Sequence, residues 1–182
     1  DQYTAAFGGL NFMQFYADDR VIVNPLRVKQ KYLDELEFNL LLYFTGTSRL
    51  SSSIIEEQAM NVKNKNNTSI EAMHKLKEQA FLMKEAILKG RLDELGEILD
   101  FGWKHKKNMA SSISNPFIDE IYDEALKSGV NGGKVSGAGG GGFMMLYCPK
   151  SSRFRVMEKL NKMGGEFKKY NFVESGFVTW KI

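Results

Sequence analysis

The sequence predicts an α+β domain in which an antiparallel sheet carries helices on one face. Three observations lead there. From Phe38 onward the local patterns run strand, several helices, strand, helix, strand, strand. The first of these strands, residues 38–44 (FNLLLYF), is a nearly continuous apolar run bounded by polar residues and Gly46, as a buried strand should be. Of the 182 residues, 43% are apolar and 12% aromatic, enough to bury a real core.

Taken in chain order, residues 11–16 and 20–24 read as two short strands, and the tight Ala17-Asp18-Asp19 turn between them makes a hairpin. Pro25 stops the second strand. Residues 1–30 thus read as strands of another unit, and residues 31–182 as the domain proper. After Gly46 the periodicity becomes helical. Residues 51–63 form one helix, with Ser52 or Ser53 near its start, and Asn66-Asn67-Thr68 is a loop ending in a cap. Over residues 69–89, Ile70, Met73, Leu76, Ala80, Met83 and Ile87 recur every three or four positions and mark one apolar helix face, which Gly90 closes. Residues 92–110 make a further helix, buried along Leu92, Leu95, Leu99 and Trp103. Asn115-Pro116 opens the next with proline at its first position, and Gly129 ends it. A glycine-rich loop then runs from Gly132 to Gly142, and a strand over 143–148 follows at once until Pro149 breaks it. Residues 151–163 form a helix capped by Ser151 or Ser152. Gly164-Gly165 turns the chain into two last strands, 166–172 and 176–181.

Composition excludes several classes of function. The formal net charge is +3, and the basic residues do not gather with interleaved aromatics, so no nucleic-acid partner is expected. The runs Lys63/Lys65 and Lys104/Lys106/Lys107 read as solvated helix faces. No apolar stretch reaches the roughly 18 residues that span a bilayer, so no membrane partner is expected. Cys148 is the one cysteine; it forms no intrachain disulfide and reads as a small buried hydrophobe. That usage favours a reducing compartment, hence a cytoplasmic location. The N-terminus shows no signal-peptide pattern, and the chain opens at Asp1 without methionine, so a preceding segment is expected. His74 and His105 fall on separate helices without zinc-ligand spacing, and no metal site is expected in this chain. Met73, Met83, Met109 and Met163 read as core fillers.

The strongest chemical signal is the glycine run. Seven glycines lie between Gly132 and Gly142, five of them from Gly137 onward. Glycine at that density costs backbone entropy and becomes useful where the backbone must pack closely on another loop or on a phosphate, whose charge backbone amides can cradle. The run is no Walker A loop, because Lys134 precedes the glycines and no Gly-Lys-Ser/Thr follows. It is no dinucleotide fingerprint either, because a strand follows where a helix should open. A structural bend and a phosphate-facing loop both remain open on composition.

The nine contiguous residues Lys134-Val135-Ser136-Gly137-Ala138-Gly139-Gly140-Gly141-Gly142, with a strand directly after them, resemble the third motif of the GHMP kinases, the superfamily of galactokinase, homoserine kinase and mevalonate kinase. The resemblance implies a ferredoxin-like C-terminal domain over 31–182, preceded by a hairpin from the N-terminal domain over 1–30. It also implies that Ser136, Gly137, Ala138, Gly139 and Gly140 lie against the ATP-phosphate loop and help shape the active site. Asp1-Gln2-Tyr3 followed by Phe7-Gly8-Gly9 is similar to the segment that carries the catalytic aspartate in the sugar-kinase branch. By that resemblance Asp1 accepts the proton of the attacking hydroxyl. Phosphoryl transfer otherwise rests on positioning and charge neutralisation. Read without the family, Asp1 is a solvated terminal acid.

The segments Phe7-Gly8-Gly9-Leu10-Asn11-Phe12, Tyr43-Phe44-Thr45-Gly46-Thr47-Ser48-Arg49 and Asn115-Pro116-Phe117-Ile118-Asp119-Glu120-Ile121-Tyr122 resemble the D-glycero-D-manno-heptose 7-phosphate kinases, with L-fucokinases sharing much of the frame. These kinases transfer phosphate from ATP, with Mg²⁺, to the anomeric hydroxyl of a seven-carbon sugar phosphate on the route to bacterial surface polysaccharide. Arg49 follows a buried strand in a Thr-, Ser- and Gly-containing turn. It reads either as an ordinary surface arginine or as a bidentate clamp on a substrate phosphate. The partners implied are a small-molecule sugar phosphate, ATP and the N-terminal half of the same protein, which in the family carries a substrate-binding motif, the glycine loop around the ATP phosphates and a Mg²⁺-holding acid. Without that half the 182 residues are expected to bind MgATP weakly or not at all. Two further readings stand beside this one: a fucokinase- or galactokinase-like enzyme acting on an unphosphorylated sugar, and a non-catalytic ligand-binding module of the same fold.

Overall fold

The structure is a computed structural model and describes residues 2–47 and 51–180. A short helix, α1 (Gln2–Phe7), leads into the expected hairpin of β1 (Asn11–Phe15) and β2 (Val21–Pro25), in which Asn11 faces Pro25 and Phe15 faces Val21. The Tyr16 amide closes the turn on the Arg20 carbonyl at 3.0 Å, and the Arg20 guanidinium lies 4.4 Å from the Tyr16 ring centre.

The first correction follows. Helix α2 (Gln30–Asn39) passes without a break into β3 (Leu40–Phe44), so the apolar run over 38–44 is helix end plus strand. Leu36 buries the helix against Ala86, Ile87 and Leu92. No glycine or proline stands between Phe38 and Leu40, only Asn39, so pattern alone hides the boundary.

Helix α3 (Ser51–Lys63) follows as expected, and α4 (Asn67–Lys89) opens two residues before the expected 69, because Asn66, the first residue of the expected loop, caps it by accepting a hydrogen bond from the Ser69 amide at 3.0 Å. The buried side of α4 is Ser69, Ala72, Ala86 and Ile87, which shifts the predicted stripe. Met73 is 43% exposed and fills no core. The helix docks closely on its neighbour through small residues, and Gln79 lies over Gly102 and donates to the Ile98 carbonyl at 3.0 Å. A 3-10 turn (Leu92–Glu94) and α5 (Leu95–Lys107) bury Leu92, Leu95, Leu99 and Trp103 along the predicted line. Asn115 caps α6 (Pro116–Ser128) by accepting from the Ile118 amide at 3.0 Å.

The second correction concerns β4 (Gly132–Val135), a strand inside the expected loop. Its glycines serve contact: a Cβ on Gly132 would overlap the Gly96 carbonyl of α5. Strand β5 (Phe143–Tyr147) then pairs antiparallel with both β4 and β3. Helix α7 (Arg153–Leu160) opens from a 3-10 turn, and Ser152, already in helical conformation, makes no side-chain cap. The last correction lies at the C-terminal end. Only β6 (Glu166–Lys168) forms among the described residues of the two expected strands. Beyond it the Tyr170 hydroxyl donates to the Glu37 and Leu40 carbonyls at 3.0 and 3.1 Å, and the Phe172 amide donates to the Glu37 carboxylate at 2.7 Å. These bonds draw the chain off the sheet edge. It continues along the opening segment, where the Gly9 amide donates to the Val173 carbonyl at 2.9 Å and the Phe177 amide to the Ala5 carbonyl at 3.0 Å.

The described sheet has the strand order β4-β5-β3-β6, the split βαβ arrangement of ferredoxin-like domains. One face is dry: Leu41, Tyr43, Val135, Met144 and Leu146 pack against Ile118, Ile121, Val156 and Leu160. Trp103 is fully buried in the same core, which also takes in Cys148. The opposite face is half-covered, with Phe44 and Phe143 ring to ring at 5.3 Å. No helix among the described residues is long and apolar enough to cross a membrane.

Candidate functional site

Residues 136–142 bridge β4 and β5 at one end of the sheet. The loop's base continues the ladder, with the Ser136 amide donating to the Phe143 carbonyl at 2.8 Å. Its far side is pinned twice. The Gly140 amide donates to the Ile113 carbonyl at 2.8 Å, and the Gly142 amide donates to the Thr47 carbonyl at 2.7 Å. Thr45, fully buried just after β3, donates its hydroxyl to the Gly142 carbonyl at 3.1 Å. The approach is close enough to exclude side chains: a Cβ on Gly139 would lie 2.6 Å from the Ile113 carbonyl oxygen, and one on Gly141 2.7 Å from that of Thr47.

Glycine here therefore serves tight packing, but packing does not use all the amides. Those of Gly137, Ala138 and Gly141 donate to no acceptor among the described residues. Positive charge lies beside them. Lys106, on the last turn of α5, donates to the carbonyls of Val135 and Gly137. Burial, followed by the neighbouring charge of Lys134, pushes the Lys106 ammonium down to about 8. Burial also lowers Lys134, whose ammonium makes no hydrogen bond or ion pair among the described residues. Open amides and two desolvated lysines without a carboxylate suit an anion, and a phosphate group fits that donor set. Among the described residues no cluster of three or more His, Cys, Asp or Glu could hold a metal ion.

Of the residues singled out in the sequence, Ser136, Gly137, Ala138, Gly139 and Gly140 come together in this loop. Asp1 and Arg49 lie outside the described residues. Three contributors were not visible beforehand. Lys106 was grouped with Lys104 and Lys107 as a solvated face, yet those two pair with Asp100 and Asp119 at 2.5 and 3.0 Å while Lys106 turns inward to the loop. Ile113 acts through its main chain and Thr45 through a buried hydroxyl, and neither leaves a motif.

A split-βαβ domain with such a glycine loop at the β4–β5 turn defines the class. Residues 83–166 match the family model described as GHMP kinases C terminal, and the chain is similar to the GHMP kinases through this C-terminal domain. Its relatives narrow the branch. The chain is 40% identical over 182 residues to the D-glycero-alpha-D-manno-heptose 7-phosphate kinase of Campylobacter jejuni subsp. jejuni, covering 100% of this chain and 53% of that protein. It resembles the crystal structure of a D-glycero-D-manno-heptose 1-phosphate kinase from Bacteroides thetaiotaomicron with a TM-score of 0.72 and 37% identity, covering 100% of this chain and 48% of that one. It is also 28% identical over 176 residues to the bifunctional fucokinase/GDP-fucose pyrophosphorylase of Arabidopsis thaliana, covering 94% of this chain and 17% of that protein. The chain spans about half the length of the heptose kinases it matches.

Proposed function

We propose that this chain supplies the C-terminal wall of a kinase active site that moves a phosphoryl group from ATP to a sugar hydroxyl, the anomeric hydroxyl of D-glycero-D-manno-heptose 7-phosphate. The observation that carries this reading is the glycine loop, whose amides at Gly137, Ala138 and Gly141 stay open beside Lys106 and Lys134 while those of Ser136, Gly140 and Gly142 are tied down. Such a loop stabilises charge on transferring phosphate without needing to rearrange. The 40% identity to a heptose 7-phosphate kinase supports the choice of sugar.

In this reading residues 1–30 belong to the N-terminal domain and 31–182 to the C-terminal domain. Asp1 is the base that takes the proton of the attacking hydroxyl, and Arg49 clamps the phosphate that the sugar already carries. GHMP kinases generally use ATP with Mg²⁺, which neutralises phosphate charge. In this reading the part of the glycine loop is to position the phosphates with amides and lysine charge. A fucokinase-like enzyme is the second reading, favoured by the 28% identity to a bifunctional fucokinase.

The test is ADP release by the full-length protein carrying this chain, given MgATP and heptose 7-phosphate, fucose, galactose or mevalonate in turn. Turnover confined to heptose 7-phosphate is the expected result. Turnover on fucose alone would favour the second reading, and silence across the panel would point to a ligand-binding module.

A further inference from the structure

We infer that Glu57 is a positioning residue for the glycine loop, acting through the turn at Ser111–Ile113; this rests on the reading of that loop as the phosphate-facing wall. Glu57 lies in α3, and its carboxylate gathers four donors from two adjacent residues. One oxygen accepts from the Ser111 amide at 2.7 Å and the Ser111 hydroxyl at 2.9 Å. The other accepts from the Ser112 amide at 3.2 Å and from the Ser112 hydroxyl. Glu57 makes no ion pair among the described residues. The Ser112 hydroxyl above all holds its carboxyl below the usual carboxylate range. Only an ionised carboxylate accepts from four donors in this way.

The next residue of that turn, Ile113, is fully buried. Its carbonyl takes the Gly140 amide, and Gly139 lies against its backbone. The path from Glu57 to the loop is thus two short steps of main chain and hydrogen bond. The same stretch is gripped just upstream, where the Asn61 side chain and the Ser69 hydroxyl donate to the Met109 carbonyl at 2.8 and 3.0 Å. Helix α3 also follows the segment of Thr45 and Thr47, the loop's other anchor. The anchor at Ile113 is therefore tied to α3 through Glu57. A shift of the 111–113 turn would carry Gly140 with it, and the open amide of Gly141 follows that residue directly. Phosphoryl transfer depends on such placement, because small displacements of a preorganised donor are costly.

The experiment uses the full-length protein with Glu57→Gln, which keeps the shape but turns an –NH₂ toward donors. Hydrogen–deuterium exchange of peptides covering residues 136–142 is read beside kcat and the KM values for MgATP and heptose 7-phosphate. The expected result is faster exchange in that loop and a kcat lower by about tenfold, with the sugar KM changed less than about twofold. The Ser111→Ala/Ser112→Ala double variant, which spares the two amides, should move both readouts the same way by less, and it serves if Glu57→Gln does not fold. Unchanged loop exchange in a folded variant would overturn the inference, as would faster exchange with kcat intact. If the unaltered protein phosphorylates no sugar while loop exchange still responds to Glu57→Gln, the kinase reading fails and the positioning of the loop by Glu57 stands.

Discussion

The hydroxyl of Tyr122 donates to the Asp100 carboxylate at 2.8 Å and accepts from the Gly133 amide at 3.1 Å, so one oxygen joins α6, α5 and β4. Tyr122 is only 4% exposed. Replacing it with phenylalanine keeps the ring and strands the buried Gly133 amide. Tyr122→Phe is expected to cost about 1–3 kcal/mol of unfolding free energy, read by urea denaturation. A loss below about 0.5 kcal/mol would mean that water reaches the Gly133 amide.

Two glycines of the loop separate conformation from contact. Gly137 has φ +72° with nothing within 4 Å of an added Cβ, whereas Gly139 has φ +117° and faces the Ile113 carbonyl. Gly137→Ala is expected to cost about 1–2 kcal/mol in backbone strain and to leave most turnover. Gly139→Ala should also push Ile113 away and lower kcat by about a hundredfold. Parallel melting curves and kinetics on the full-length protein check this, and equal effects would mean that the Ile113 contact does not set the loop.

Lys106 gives a pH signature. Its ammonium titrates at about 8 in the folded chain against an ordinary 10.5. Between those values the unfolded state binds more protons than the folded one, so this group's contribution to stability rises with pH across that window. Below about 8 the penalty of a buried charge is fully present. Unfolding free energies of wild type and Lys106→Met, measured from pH 7 to 10.5, should therefore converge or cross in favour of wild type as pH rises. A constant difference would mean that Lys106 titrates normally.

The resemblance to sugar kinases places weight on Asp1 and Arg49. Asp1→Asn in the full-length protein is expected to lower kcat by about 10²–10⁴-fold, the usual worth of a positioned base. Arg49→Met should raise the KM for heptose 7-phosphate far more than the KM for a neutral sugar. Unimpaired turnover in Asp1→Asn would remove it from the chemistry.

The 182-residue chain by itself is expected to bind MgATP weakly or not at all, since its loop presents one wall of a cleft. Titration calorimetry yielding a micromolar Kd would place the main nucleotide contacts in this half.

What could be read in advance depended on whether a single side chain decides the outcome. Asn115 caps α6 by its own side-chain oxygen and Pro116 follows, so that helix start was legible, while the cap of α4 falls on Asn66, at the opposite end of the three-residue loop from where a cap was expected. The end of α2 was not legible, because Asn39 passes straight to Leu40 and the helix stops only where β3 finds β5 to pair with. Strand β4 was hidden because Gly132 answers to α5 and Gly133 to β5, packing that only the fold brings about. The glycine loop stood out by composition, while its anchors did not. Lys106 carries the same letter as Lys104 and Lys107, and only the fold decides which of the three meets carbonyls and which meet carboxylates. Glu57 and Ser112 are far apart along the chain and share no motif, so their meeting belongs to tertiary structure.

The meeting of the opening and closing segments bears on how this sequence can vary. A Cβ on Gly8 would overlap the backbone at Ser175, and one on Gly176 would overlap the backbone at Ala6. Each glycine is thus the space that the other segment occupies. Descendants of this chain cannot enlarge either residue alone, and an insertion near one has to be answered near the other. Gly8 and Gly176 are one junction written in two distant stretches of sequence, and substitutions there are expected to be tolerated only when both stretches change together.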